Sequence, residues 1–450
     1  MKKIIFMLSL IVILVFSSVT AFAESTNEII IAIDSSKVEF NDDLGFPFVD
    51  ENNRTMVPFM ATLVKYGATV TWNNENRSAV AVKGDITVEV PIGQNYILKN
   101  GVKIDTDTTA KIVNERTYLP IRAVIEAFGS EVQWDQSLKT VVITTEPIDA
   151  KAIFTAANDK SYDWKNYDAD ITMDMSMAMP DESGTVQTMN MKMNMYMTIF
   201  MNPMKAKISA DMVMDVLGEE MSQPVMDMYL SLDDNSYTTY MGMNDSTGTL
   251  TWMKSTVEDE MLSTLMNYDK ETIQANKELM AKYIKDVKYF GKYTDEAGKT
   301  LLKMEYSMST DIYKDLLGGY VEELSASTNE QEQMTAEMLK GLVEGKMGDL
   351  SFIIYIDEAS GEIVKYEMDL GAMISQIVSG MTESMPDMTE EDMAVLNGLK
   401  ATMVMEILNV NEAKEFEIPA EALNAPEMTE MLEQLEDTTE TETTEETVNQ

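Results

Sequence analysis

Met189–Met201 reads MNMKMNMYMTIFM. Met189, Met191, Met193, Met195 and Met197 share one parity, which Ile199 and Met201 continue, while Asn190, Lys192, Asn194, Tyr196 and Thr198 share the other. A period of two over this length predicts a β-strand with one apolar and one mostly polar face. Upstream, Ile171, Met173, Met175, Met177 and Met179 repeat the pattern, and Pro180–Gly184 supplies a turn. The two stretches therefore predict a long hairpin with one face made almost wholly of methionine. Methionine is flexible and polarisable, and suits an apolar surface that must adapt to varied partners. Met173, Met175, Met177, Met191, Met193, Met195 and Met197 are the candidate ligand-binding residues of the sheet.

Working outward, residues 150–425 alternate strand pairs with a few helices. Lys205–Met214 sets Ala206, Ile208, Ala210, Met212 and Met214 on one parity, and Val225–Leu232, Ser236–Met243 and Leu250–Met253 continue the meander. Ser255-x-x-Glu258 fits a capping box. It predicts an amphipathic helix whose face carries Val257, Met261 and Leu265, the remaining candidate binding residues. Helices are also expected near 270–284, 311–317 and 330–343. Leu302–Met308, Phe352–Ile356, Val364–Leu370 and Thr402–Val410 read as further strands. The expected fold class is α+β, with a curved antiparallel half-barrel sheet carrying helices on its concave face.

Residues 27–145 hold an internal repeat. Asn53-Arg-Thr-Met-Val-Pro58 corresponds to Glu115-Arg-Thr-Tyr-Leu-Pro120, Gly67 to Gly129, Trp72 to Trp134 and Val80 to Val142, at a constant offset of 62 (116 − 54). Each copy predicts an extended Arg-Thr segment, a short helix (Phe59–Tyr66 or Ile121–Phe128) stopped by glycine, and a β-hairpin. Asn100-Gly101 is a type I′ hairpin signal. Arg54 and Arg116 are expected to pair with backbone carbonyls or an acidic side chain.

The ends of the chain differ from both regions. Lys2 and Lys3, the thirteen-residue apolar run Ile4–Phe16 and Ala21-Phe22-Ala23 predict a secretory signal over residues 1–23, too short for a comfortable membrane span. Pro147 marks a junction between residues 27–145 and 150–425, and the Thr- and Glu-rich residues 426–450 read as an acidic disordered tail.

Composition narrows the chemistry. The chain has 450 residues, no cysteine and no histidine, so disulfides, thiolate chemistry, Cys/His zinc sites and any imidazole base are excluded. No cofactor and no catalytic constellation is expected. The formal charge of −43 becomes −45 when Lys2 and Lys3 are removed (−43 − 2), which disfavours nucleic acid and anionic bilayers as partners. Acidic runs such as Glu219-Glu220 and Glu390-Glu391-Asp392 do not match a calcium loop.

Two resemblances follow from these residues. Arg116, Thr117, Pro120, Arg122, Gly129, Trp134 and Asp135, with Arg54, Thr55, Val57, Pro58, Gly67, Ala68 and Trp72, resemble the copper amine oxidase N-terminal-like stalk domain of exported bacterial proteins. The first copy has Met60 and Asn73 where that pattern has arginine and aspartate. The resemblance implies a tandem stalk with a cell-wall or surface-protein partner. It does not imply copper chemistry, because such a site needs histidines. Trp252-Met-Lys254, Tyr355–Val364 and Phe416-Glu-Ile-Pro419 resemble the LolA/LppX-like lipoprotein carrier fold, which implies a half-barrel around an apolar cavity for a lipid.

Of the 41 methionines, 37 (41 − 4) lie after residue 150. Three readings compete: packed core, a cavity for a lipid or other apolar ligand, and a Cu(I) or Ag(I) site built from thioethers. The sequence leads to a secreted, non-enzymatic cell-envelope protein that binds an apolar ligand. A purely structural surface protein and a soft-metal binder are the alternatives.

Overall fold

A computed structural model describes residues 29–180, 186–216, 219–233, 236–244, 249–258, 270–327, 333, 336, 339–340, 343, 349–371 and 400–428. The signal-like residues 1–23 and the tail beyond 428 lie outside the described residues.

The N-terminal region contains strands β1 (Ile30–Ile33), β2 (Ser36–Lys37), β3 (Phe48–Val49) and β4 (Thr55–Pro58), helix α1 (Phe59–Lys65), then β5 (Thr69–Asn73), β6 (Ser78–Lys83), β7 (Ile86–Pro91), β8 (Tyr96–Lys99) and β9 (Val102–Asp105). It ends with β10 (Lys111–Val113), β11 (Arg116–Pro120), helix α2 (Ile121–Ala127), β12 (Glu131–Asp135) and β13 (Thr140–Thr144). The two Arg-Thr strands pair with each other, Tyr118 opposite Pro58 and Pro120 opposite Met56. Each feeds directly into its helix, and Gly67 and Gly129, at φ +88° and +93°, turn the chain out of it. Asn100 and Gly101 both have positive φ, as the two-residue turn between β8 and β9 requires. Arg54 Nε donates to Asp107 Oδ2 at 2.6 Å, and Arg116 Nε donates to the Asp43 carbonyl at 2.9 Å, so both arginines pair locally as expected.

Helix α3 (Ala150–Ser161) opens the C-terminal region, capped by Asp149 Oδ1, which accepts from Ala152 N at 2.9 Å. Next come β14 (Asn166–Pro180), β15 (Val186–Met201), β16 (Met204–Val216), β17 (Glu219–Asp233), β18 (Ser236–Asn244), β19 (Leu250–Glu258) and α4 (Lys270–Tyr283). The series continues with β20 (Ile284–Thr294), β21 (Thr300–Met308), α5 (Asp311–Ala326), β22 (Leu350–Asp357), β23 (Ile363–Asp369), β24 (Lys400–Leu408) and α6 (Ala420–Leu423). Strands β14–β24 form one antiparallel sheet in the order β19-β18-β17-β16-β15-β14-β24-β23-β22-β21-β20. Two meanders thus meet at the β14–β24 pair, and the sequence neighbours β19 and β20 end up at opposite edges. Strand twist curls so wide a sheet into an open half-barrel.

One element departs from the sequence reading. The helix expected from the capping box at Ser255-x-x-Glu258 does not begin there: these residues complete β19, Val257 lies opposite Tyr237 of β18, and residues 259–269 lie outside the described residues. The run Leu250–Glu258 pairs with β18 along its full length, and that ladder, with β-branched Thr251, Thr256 and Val257, outweighs a four-residue capping signal. Met261 and Leu265 lie outside the described residues. Helix α5 runs through Gly318-Gly319 to Ala326, beyond the expected end near 317.

Both sheet edges are covered. At β19, Lys254 N donates to the Pro426 carbonyl at 3.0 Å and Lys254 bridges Glu427 in parallel, so the chain just after α6 adds to the open edge. At β20, the ladder to β21 is broken by a bulge between Tyr289 and Lys292, and the freed Lys292 N donates to Ser35 Oγ at 2.7 Å. Gly291 (φ +96°) makes this approach possible, since a Cβ there would stand 2.9 Å from that hydroxyl. Beside it, Lys303 Nζ donates to Asp135 Oδ2 at 2.6 Å and to Ser137 Oγ at 2.7 Å. Lys303 and Asp135 are 2% and 1% exposed, so the two regions share a buried ion pair.

Candidate functional site

The methionine parity of β14 and β15 holds in register: Met173 lies opposite Met193, Met175 opposite Met191 and Met177 opposite Met189. Strand β14 also pairs with β24, setting Met403 beside Met173 and Met405 beside Ile171. Strand β16 sets Met212 beside Met193, and β23 sets Met368 beside Met403. Five methionines therefore stand side by side across five adjacent strands: Met368, Met403, Met173, Met193 and Met212. Side chains directly opposite on one face have Cβ atoms about 4.5–5.5 Å apart, so neighbouring thioethers pack against one another.

Composition changes along the strands as burial does. The row Ile407–Ala169–Met197–Ile208–Met228 is buried throughout, and so is Met405–Ile171–Met195–Ala210. In the five-methionine row, Met368 and Met403 are 2% exposed, Met173 is 8% exposed, and Met193 and Met212 are half-buried. In the next row out, Met175 and Met191 are both half-buried beside buried Ala401. The buried rows mix isoleucine and alanine with methionine, whereas the half-buried positions 175, 191, 193 and 212 are all methionine. The packed core and the open apolar surface, alternatives in the sequence, are two ends of one face.

Helical side chains join the buried cluster. Phe154 and Ala157 of α3, Tyr283 of α4, and Ile312, Val321 and Leu324 of α5 belong to the same buried cluster as Met173, Met195, Met304 and Met403. Phe154 lies 4.7 Å from the Tyr306 ring, which stacks at 4.7 Å and 6° on Phe352. Burial, with Tyr366, Tyr162 and Tyr313 nearby, pushes the Tyr306 hydroxyl well above its ordinary pKa, so it stays neutral.

A depression of about 420 Å³ at this end of the strands lies mainly on the other face of the sheet, lined by Asp174, Ser176, Asn190, Lys192, Lys400 and Thr402, with Met175 and Met191 reaching it from the strands between. Asp174 lies opposite both Lys192 and Thr402 in the ladders, so this depression belongs to the polar face and not to the methionine face.

Of the candidate residues, the structure brings Met173, Met175, Met191, Met193, Met195 and Met197 onto one face. Met177 lies in β14, but its side chain is outside the described residues. Val257 is a strand residue and shares no helix face with Met261 and Leu265, which lie outside the described residues. Met368, Met403 and Met405 complete the face and were not singled out by sequence. The alternation in Lys400–Leu408 carried the signal for the last two, but their partner strand lies more than two hundred residues earlier.

Among known families, residues 32–143 match the copper amine oxidase N-terminal domain. The region that packs against β20 and β21 through Ser35 and Asp135 therefore falls within that domain type. A comparison with curated proteins found no match.

Proposed function

We propose that this is an exported, non-enzymatic cell-envelope protein in which a tandem stalk presents a LolA-like half-barrel that binds a lipid or other apolar ligand. The ligand lies over Met175, Met191, Met193 and Met212, against the helix-covered concave side. The observation that carries this reading is the five-methionine row, which runs from fully buried at Met368 to half-buried at Met212. At its half-buried end the row offers an apolar surface of flexible side chains, suited to meeting changing partners. Lys2-Lys3, the apolar run and Ala21-Phe22-Ala23 support export with cleavage after Ala23. The stalk-type domain supports a wall or surface partner, and the charge of −43 argues against nucleic acid.

The test is titration of the full chain with a fluorescent apolar probe, followed by displacement with fatty acids. Saturable probe binding is expected, and Met193→Glu should abolish it, since a carboxylate in a dry apolar site costs several kcal/mol. A second reading, a Cu(I) or Ag(I) site, draws on the same adjacency of thioethers. Tight, saturable Ag(I) binding that Met→Leu substitutions remove, without probe binding, would replace the apolar-ligand reading with it. If neither probe nor ion binds, the structural surface-protein reading stands.

A further inference from the structure

We infer that the half-buried end of the methionine face, at Met175, Met191, Met193 and Met212, is a site of reversible oxidation that switches the face from apolar to polar. The chain has no cysteine, so thioethers are its only sulfur. The five-methionine row holds one chemistry at graded exposure, from Met368 and Met403 at 2% to half-buried Met193 and Met212. Met195 and Met197, in the rows behind, are each 3% exposed. Met175 and Met191, in the next row out, are half-buried as well. An oxidant therefore reaches one end of the face and not the other.

The step is oxygen transfer from a peroxide. A sulfur lone pair attacks one oxygen of hydrogen peroxide, the S–O bond forms and the O–O bond breaks; the proton of the transferred oxygen passes to the departing hydroxide, which leaves as water, so the thioether is oxidised to a sulfoxide and the peroxide reduced. The new oxygen accepts hydrogen bonds. The cross-strand partners of Met175, Met191 and Met193 are methionines and Ala401, none of which donates from its side chain, whereas Met212 also lies opposite Gln223, whose amide can donate. Solvent satisfies the oxygen while the face is empty. An apolar ligand laid over it removes that water and leaves the oxygen unpaired at Met175, Met191 and Met193, which lowers affinity. The loss of affinity rests on the apolar-ligand reading above. The selectivity of oxidation does not.

The experiment exposes the full chain to hydrogen peroxide and follows each methionine by peptide mass mapping, with probe affinity measured alongside. Met60, 56% exposed in α1, gives the unshielded rate. Met175, Met191, Met193 and Met212 should oxidise at least about tenfold faster than Met195, Met197, Met368 and Met403. Equal rates within the five-methionine row would overturn the assignment. Probe affinity should fall by about tenfold or more and return on treatment with methionine sulfoxide reductase. Oxidation of these four residues with unchanged affinity would overturn the switch. A chain with leucine at all four positions, whatever its starting affinity, should show the same affinity before and after peroxide. A loss there would place the effect elsewhere, such as Met243, and also overturn the proposal. If the untreated chain binds no probe, the apolar-ligand reading and the switch fail together, and the order of oxidation rates alone decides the modification site.

Discussion

The two regions bury their apolar surface with different side chains. The N-terminal cluster is built on Ile31, Val57, Leu63, Val88, Leu119, Ile125 and Ile143, and the region buries a single methionine, Met56, outside that cluster. The C-terminal cluster includes Met173, Met195, Met197, Met228, Met304, Met308, Met368, Met403 and Met405. Branched side chains have few rotamers and specify one packing, whereas methionine fills irregular space with little penalty for rearrangement. The same contrast recurs inside the large sheet: β22 and β23 bury Ile354, Ile356 and Ile363 almost completely, while the face opening at β15 and β16 is methionine. Branched packing thus dominates the N-terminal region and weighs most in β22 and β23, although buried Met304 lies opposite Ile354, and the half-buried positions at β15 and β16 are methionine. That distribution separates a scaffold from a surface able to accept a ligand.

The contrast would be weaker if the two regions were mechanically independent, and the contact at Lys303 tests this with the largest expected effect. Lys303→Ala leaves the Asp135 carboxylate buried without its cation, which costs about 3–5 kcal/mol. Asp135 Oδ1 also accepts from Ser137 N at 3.0 Å and Leu138 N at 3.2 Å, holding the β12–β13 turn. The loss should therefore be felt in both regions, as one cooperative transition at lower denaturant concentration. Asp135→Asn combined with Lys303→Met keeps the turn acceptor, removes both charges, and should recover most of the stability. Two separate unfolding transitions in the unmodified protein would show that the junction near 146–149 divides independent units. Chemical denaturation followed by tyrosine and tryptophan fluorescence reads both outcomes.

A smaller effect sharpens the comparison within the methionine face. Met195→Ala opens a cavity in a buried row and should cost about 2–4 kcal/mol, while Met191→Ala, at the open end, should cost about 1 kcal/mol or less. Met195→Leu, which nearly conserves volume, should stay under about 1.5 kcal/mol. Equal costs for the two alanine variants would mean that the open end is packed as tightly as the core, and the candidate site would lose its basis.

Much of this was legible in sequence. Period-two methionines fixed β14 and β15 and their shared face, because side-chain parity is local. The Arg-Thr repeat, the stopping glycines and Asn100-Gly101 were legible for the same reason: each depends on a few neighbouring residues. The adjacency of Met368 and Met403 to Met173 was not, since strand order in a sheet is set by long-range pairing. Ser255-x-x-Glu258 misled because a capping box is weak beside a complete ladder with β18. Lys303 was invisible for a related reason. It alternates with Leu302 and Met304 on the polar parity of β21, which reads as solvent-facing until the N-terminal region is laid upon it.

The smallest expected effects are electrostatic, and they carry opposite signs in the two regions. Burial would raise the Asp50 carboxyl, but hydrogen bonds from Thr108 Oγ1, Arg54 N and Asn52 N outweigh it, helped by the charge of Lys111, and hold its pKa below the ordinary value. The folded pKa is then lower than the unfolded one, so the carboxylate contributes stability above pH of about 4 that is lost as pH falls through the folded value. Asp170 is the reverse case: burial, then repulsion from Asp168, raises its pKa. Its ionisation opposes folding, and that penalty is absent below the unfolded value of about 3.9 and complete once pH has risen past the folded pKa. Thermal melts across acid and neutral pH separate the two. Asp50→Asn should lower the melting temperature at pH of about 7, with the deficit shrinking below pH of about 4. Asp170→Asn should raise it slightly at neutral pH, with the gain vanishing in acid. Shifts of the same sign for both variants would show that the hydrogen bonds around Asp50 do not outweigh its burial, and the N-terminal turn would then owe its stability to packing alone.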